Sequence, residues 1–295
     1  MVTYKNGNCT VSIDTETGTK VREFDSPPEP VYPESIDLKI TNFCDLNCPY
    51  CHEKSTVHGE DADLDSMFSL LEPLPAGAEI SIGGGNALSH PKLTDFLVKL
   101  RTKGLISNIT VNALHLDSYK RHIQHLQKTT LIHGLGISYN KRVDLTPFIT
   151  PNVVIHLVLG VHTVDDLIEL TNKHANLKVL LLGYKNKGRG ILHKLTNQDA
   201  IEDNIYQWYT NIFKFFKLDG LTLSFDNLAL DQLDINRFFE EDEWNKFFMG
   251  DDGQFTMYID GVNNEFAVSS TSLERHKIEP TSTIQSIFSK VRYGT

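Results

Sequence analysis

Cysteine is scarce in this chain, with four in 295 residues. A disulfide framework is therefore not what holds it together. Long apolar runs are also missing. None approaches the roughly 18 residues that a spanning helix requires, so no membrane association is expected. The opening MVTYKNGNCT lacks the apolar stretch of a signal peptide, and a cytoplasmic location is expected. Positive charge is in deficit: 28 Lys and Arg against 38 Asp and Glu leave a net charge of −10. That disfavours an extended footprint on duplex nucleic acid, while leaving room for a local basic pocket or a free nucleotide. What remains is ordinary for a globular protein, 40% hydrophobic and 22% charged, enough for one large core or two smaller ones.

Residues 1–34 read as a β-meander and a proline-rich linker. Asn6-Gly7 is a hairpin signal, and Cys9, Val11 and Ile13 alternate with polar residues, which makes Cys9 a buried hydrophobe rather than a ligand. From Ser35 strands and helices alternate. Strands are expected at Ser35–Ile40, Glu79–Ile82, Ile109–Asn112, Leu135–Ser138, Val153–Leu159, Leu177–Leu182 and Leu221–Phe225. Several are unbroken apolar runs, as parallel strands buried on both faces require. Between them Leu64, Met67, Phe68 and Leu71 have helical spacing, as do Leu93, Phe96, Leu97 and Leu100, and Val164, Leu167 and Ile168. One long helix is expected over Ala200–Phe216. The fold class that follows is α/β: a partial (β/α)6 TIM-like barrel over residues 35–233, with functional groups at the C-terminal ends of its strands. Residues 234–295 read as an appendage, a hairpin of Phe255–Ile259 with Glu265–Val268 followed by a helix carrying Ile284, Ile287, Phe288 and Val291.

Three of the four cysteines, Cys44, Cys48 and Cys51, directly follow the first barrel strand. A structural zinc site needs four ligands, and His52 adjoins Cys51, so one metal has difficulty reaching both. A redox pair of Cys48 and Cys51 leaves Cys44 unused. A cluster of iron and sulfide held by three thiolates uses all three and leaves one iron open.

Cys44-x3-Cys48-x-Tyr50-Cys51 in this position resembles the signature of the radical S-adenosylmethionine (SAM) superfamily, over roughly Ser35 to Phe225. The resemblance implies a 4Fe–4S cluster whose open iron chelates the methionine end of SAM. It implies reductive cleavage of SAM and hydrogen abstraction from a substrate by the 5′-deoxyadenosyl radical. It further implies an external electron donor such as flavodoxin or ferredoxin. Gly83, Gly84, Gly85 and Asn86 are similar to the family's glycine-rich motif, with Asn86 where many members place a glutamate for the SAM amine. Tyr50 is implied near the adenine. Asn112 and Ser138, at strand ends, are implied near ribose or carboxylate, and the backbone at Tyr184 near the adenine edge. Polar capping of the strand ends explains Asn112 and Ser138 equally well.

Substrate-pocket candidates are His115, His162, Lys185, Arg189 and Asp226. Solvated loop charges are the alternative for Lys185, Lys187 and Arg189. His156, inside an apolar strand, reads as a core residue, and His90 as the start of a helix. No cysteine follows Cys51, so no auxiliary cysteine-ligated cluster is expected after it. The C-terminal hairpin and helix resemble a cluster-less remnant of the SPASM or twitch domain, with Ser269 and Ser270 near where ligands would lie. One cluster without a second electron acceptor favours rearrangement or another redox-neutral outcome. A nucleoside, a modified base and a peptide are the candidate substrates. The other reading is a non-catalytic cluster-binding or sensing protein, for which Asn86 is the support.

Overall fold

The computed structural model describes residues 1–294. Its strands are β1 (Val2–Asn6), β2 (Cys9–Ile13), β3 (Lys20–Glu23), β4 (Ser35–Thr41), β5 (Glu79–Gly84), β6 (Ile106–Asn112), β7 (Gly134–Ser138), β8 (Val153–Val158), β9 (Leu177–Leu182), β10 (Leu221–Phe225), β11 (Thr256–Asp260), β12 (Glu265–Ala267) and β13 (His276–Lys277). Its helices are α1 (Leu64–Leu71), α2 (Leu93–Lys103), α3 (Leu116–Lys128), α4 (Val164–Lys173), α5 (Arg189–Thr196), α6 (Gln198–Asn211), α7 (Asn227–Leu233), α8 (Glu241–Phe247) and α9 (Ile284–Tyr293).

Strands β4 to β10 pair in parallel with their sequence neighbours, and helices cover the outer face. The side-chain alternation of β4 shows how the barrel is divided. Ile36, Leu38 and Ile40 are buried under the helices, whereas Asp37 and Lys39 point the other way, toward the lumen. The sheet does not close on itself, since β10 forms one edge and β13 the other. This is the expected partial barrel.

The meander β1–β3 packs across the N-terminal ends of the barrel strands. Arg22 makes a two-pronged pair with buried Glu34 at 2.8 and 2.9 Å, and Lys20 reaches Glu79 at 2.5 Å. Cys9 is fully buried in β2. At the other end of the chain the hairpin and helix are present, but the appendage is not set apart from the barrel. β11 pairs in parallel with β4, Asp260 opposite Lys39, and so extends the barrel sheet by a strand. Strand partners are chosen by tertiary packing, which the local pattern of Thr256–Asp260 does not encode.

Three local expectations change. The long helix ends at Asn211 and tightens into a 3₁₀ turn over Ile212–Phe215. There Thr210 and Asn211 bond back to carbonyls of the preceding turn, which competes with regular helix. In α4 it is Leu170, with Leu167, that is buried, and Ile168 is exposed. His90 does not start a helix. It ends a short 3₁₀ turn, and its ring bonds the Ala62 carbonyl at 3.1 Å.

Candidate active site

The cysteine loop leaves β4 at Thr41, whose Oγ1 accepts the Phe43 N–H at 2.9 Å. The Cys44 N–H then donates to the Thr56 carbonyl at 2.9 Å, and the Thr56 N–H to Asn42 at 3.0 Å. These two bonds close residues 42–56 into a loop standing on the end of the strand. A tight turn brings the Cys51 N–H to the Cys48 carbonyl at 3.2 Å. The loop has little regular structure, so it relies on outside anchors. Arg189 is one: its Nε donates to the Cys48 carbonyl at 2.8 Å and its terminal nitrogen to the Ser55 carbonyl at 2.9 Å. The Arg189 N–H adds a bond to the Cys51 carbonyl at 2.9 Å.

The glycine run lies beside this loop. The Gly85 N–H bonds Thr41 at 2.8 Å and the Asn86 N–H bonds Phe43 at 2.6 Å. A Cβ on Gly85 would sit 2.0 Å from the Phe43 carbonyl oxygen, so this glycine exists for the contact between the two loops. Gly83 differs. A Cβ there would meet nothing within 4 Å, because the residue faces open lumen.

One cavity of about 690 Å³ runs from the cysteines into the barrel. Cys44, Cys48, Cys51, Tyr50, Gly83, Gly84, Gly85, Asn112, Ser138 and Tyr184 all line it. The Asn112 amide nitrogen lies 4.0 Å from the Cys48 sulfur. Asn86 is absent from the lining. It is buried beside the cavity, and its amide nitrogen donates to the Tyr119 hydroxyl at 3.2 Å. The backbone edge at Tyr184 is also already engaged. Its N–H and carbonyl pair with the Gln232 amide at 2.8 and 3.1 Å, and the Gly183 N–H donates to Asp226 at 2.8 Å.

The substrate candidates separate in the same way. Lys185 lines the cavity and donates to the Ser270 hydroxyl at 2.9 Å. Lys187 turns to the Ser270 and Ser272 carbonyls, and Arg189 to the cysteine loop, so neither is a solvated loop charge. Asp226 lines the cavity but is committed to Gly183 and to the N-terminus of α7 through Ala229. His162 accepts the Val158 N–H and bonds the Tyr139 carbonyl, which uses both ring nitrogens in holding the turn after β8. His115 is buried and pairs with Asp45 at 2.7 Å, close to the Cys44 sulfur. That pair holds Asp45 below the usual carboxylate range.

Four functional groups are additional to those read from the sequence. Asp37 on β4 and His156 on β8 face the lumen, and neither side chain bonds another described residue. His156 is not a satisfied core residue. It occupies the space left by Gly136, where a Cβ would approach its ring to 2.5 Å, and burial pushes its pKa down to about 4. The alternation Ser35-Ile-Asp37-Leu-Lys39 was the available signal for Asp37. The same alternation carries Lys39, whereas Glu53, its partner at 2.9 Å within the cysteine loop, carried no local signal.

The donor set fits an iron–sulfur cluster. Burial raises the Cys44 and Cys48 thiols, and the neighbouring cysteines raise them further, so the three sulfurs feel one another. Iron binding to thiolates relieves that repulsion. The cavity is in the ~300–1,000 Å³ range of small-molecule sites and opens at Gly83, which fits a cofactor of the size of SAM.

Residues 38–179 match the Radical SAM superfamily. The PqqA peptide cyclase of Gluconobacter oxydans (strain 621H) is 28% identical over 109 residues, which is 35% of this chain and 30% of that protein. The PqqA peptide cyclase of Ruegeria pomeroyi (strain ATCC 700808 / DSM 15171 / DSS-3) is 27% identical over 95 residues, 30% and 25% of the two chains. The chain thus matches less than a third of either relative. The fold resembles Streptococcus suis SuiB bound to precursor peptide SuiA, with a TM-score of 0.60 at 15% identity, over 90% of this chain and 66% of that one. SuiB bound to S-adenosylmethionine gives 0.58 at 14% identity, over 90% and 68%. The cofactors of the family are a 4Fe–4S cluster and SAM, and the site is built to take both. The cysteine loop at the end of the first barrel strand and the glycine run beside it both fall within residues 38–179, the segment that matches the radical SAM superfamily.

Proposed function

We infer that this radical SAM enzyme acts on a peptide. The observation that carries the reading is the lumen itself. Asp37 and His156 face a cavity that ends at the cysteine loop, and their hydrogen-bonding capacity is unused by the protein. Asp37 is exposed to the lumen and His156 is half-buried in its wall, so both are open to a bound molecule. The sheet ends in edges at β10 and β13 rather than closing on itself. The likeness to PqqA peptide cyclases and to SuiB bound to a precursor peptide supports the same substrate class over a nucleoside.

Cys44, Cys48 and Cys51 would hold the cluster. When bound, the cluster and SAM supply reductive cleavage of the cofactor and abstraction of a hydrogen atom from the substrate. The protein's part is to hold and orient. Arg189 fixes the loop at Cys48. Tyr50, Gly83, Asn112 and Ser138 present a ring, an open backbone and two polar side chains on the SAM side of the cavity. Asp37 and His156 receive the substrate. At neutral pH His156 is uncharged, so it offers one donor and one acceptor. The electron comes from an external donor of the flavodoxin or ferredoxin kind. Cys9 is the sole cysteine outside the loop, which leaves this chain no thiolate set for a second cluster and favours a redox-neutral outcome.

The test is anaerobic reconstitution with iron and sulfide, then addition of dithionite, SAM and candidate peptides encoded beside the gene. Formation of 5′-deoxyadenosine, increased by one peptide that gains a modification, supports the reading. A filled cluster that never yields 5′-deoxyadenosine favours the non-catalytic sensing protein instead.

A further inference from the structure

Glu53 lies two residues beyond Cys51, in a stretch without helix or strand, yet its carboxylate is almost wholly buried. One oxygen pairs with Lys39 Nζ at 2.9 Å. The other accepts the Tyr258 hydroxyl at 3.0 Å and lies 3.3 Å from His52 Nε2. Lys39 also pairs with Asp260 at 2.9 Å, and Asp260 takes the Val262 and Asn263 N–H groups. Tyr258 in turn lies under the Arg275 guanidinium, 4.6 Å from the ring centre. Docking of β11 on β4 needs none of this beyond the Lys39–Asp260 pair and the backbone ladder. The Glu53 branch does something else: it carries the C-terminal strand's grip across to the cysteine loop.

We propose that Glu53 is a positioning residue through which Lys39 and the Tyr258 hydroxyl fix the Cys48–Cys51 turn, so that a C-terminal segment supplying no ligand takes part in retaining the cluster. The proposal rests on the reading of the three cysteines as cluster ligands. It gives the segment around Tyr258 a role independent of any cluster of its own. Arg189 holds the loop by the backbone carbonyls of Cys48, Cys51 and Ser55, and Glu53 adds a side-chain anchor beyond Cys51.

The experiment compares the reconstituted full chain with Tyr258→Phe, Glu53→Gln, Lys39→Met and Lys39→Arg. Iron per chain, the rate of iron loss to a chelator, and the electron paramagnetic resonance spectrum of the reduced cluster with and without SAM are measured. Circular dichroism confirms the fold. Tyr258→Phe is expected to lose iron roughly tenfold faster, the equivalent of one hydrogen bond to a charged acceptor. Glu53→Gln is expected to lose it faster still, with a broadened spectrum, and Lys39→Arg to restore most of what Lys39→Met loses. Removing one member of a buried ion pair can unfold a protein. Should Lys39→Met fail to fold, Tyr258→Phe and Glu53→Gln decide. Folded variants of those two with the parental iron loss and spectrum overturn the proposal alone. A parent that takes up no cluster overturns the cysteine reading and this proposal with it.

Discussion

The Arg189 guanidinium donates to the Cys48 carbonyl at 2.8 Å, from the first residue of α5, 141 residues further along the chain. The backbone of the middle cysteine is therefore held by a helix remote in sequence. Hydrogen bonds from a charged donor are worth about 1.5–3 kcal/mol each. Arg189→Ala should leave the fold intact and lower the iron content reached on reconstitution, with Arg189→Lys intermediate because a lysine cannot serve both carbonyls in the same fork. Unchanged iron content in Arg189→Ala would remove the arginine from this role.

Cys48→Ala should abolish the brown colour and SAM cleavage together. Colour retained with cleavage lost would instead mean a metal site that does not use Cys48. The same measurement on Cys9→Ala, remote in β2, is expected to match the parent.

His156 gives the chain a pH dependence of known sign. Its folded pKa is depressed from 6.5 to about 4, so the unfolded chain binds a proton that the folded chain refuses. Its contribution is intact above pH 6.5 and is lost as the pH falls toward about 4. Urea midpoints should fall over that window in the parent, and fall less in His156→Gln. Equal slopes would show that the ring is not held neutral.

Gly136→Ala probes the same ring sterically. A Cβ there would lie 2.5 Å from the imidazole carbon and 2.9 Å from Thr110 Oγ1. The ring has to move, so the His156 resonance should shift and peptide binding should weaken. Cluster content should stay at the parental level, because the cysteine loop is untouched. A normal His156 resonance in the variant would contradict the packing.

Tyr4→Phe is expected to stabilise the chain. The Tyr4 hydroxyl oxygen is buried with no hydrogen-bond partner among the described residues. Such a group costs about 1–3 kcal/mol, and its removal should raise the melting temperature. A lower melting temperature would mean that the hydroxyl is satisfied in solution.

What the sequence made legible follows from which signals are local. The seven barrel strands were readable because runs such as Val153–Val158 are apolar on both faces. The cysteines were readable because their spacing is local. Tyr184 and Asn86 were assigned by position alone. The bonds that engage them come from Gln232 and Tyr119, tens of residues away, and no periodicity announces such partners. Lys185, Lys187 and Arg189 read as solvated because loops usually are. They turn inward because the C-terminal serines and the cysteine loop supply carbonyls and a hydroxyl that only the fold brings near. His156 was hidden by its apolar neighbours, since a strand facing a lumen can hide one polar residue among them.

The bond between Tyr258 and Glu53 spans 205 residues of chain. It also sets a clock. At a synthesis rate of about 5–20 residues per second, roughly 10–40 seconds separate the emergence of the cysteines from that of the tyrosine that helps to hold their loop. Throughout that interval the three thiols are in a nascent chain whose loop lacks one of its anchors. Metal delivered early would meet flexible ligands exposed to oxygen and to competing ions. Cluster assembly on this protein is thus best served after the strand carrying Tyr258 has docked, which makes maturation an event of the finished fold rather than of the growing chain.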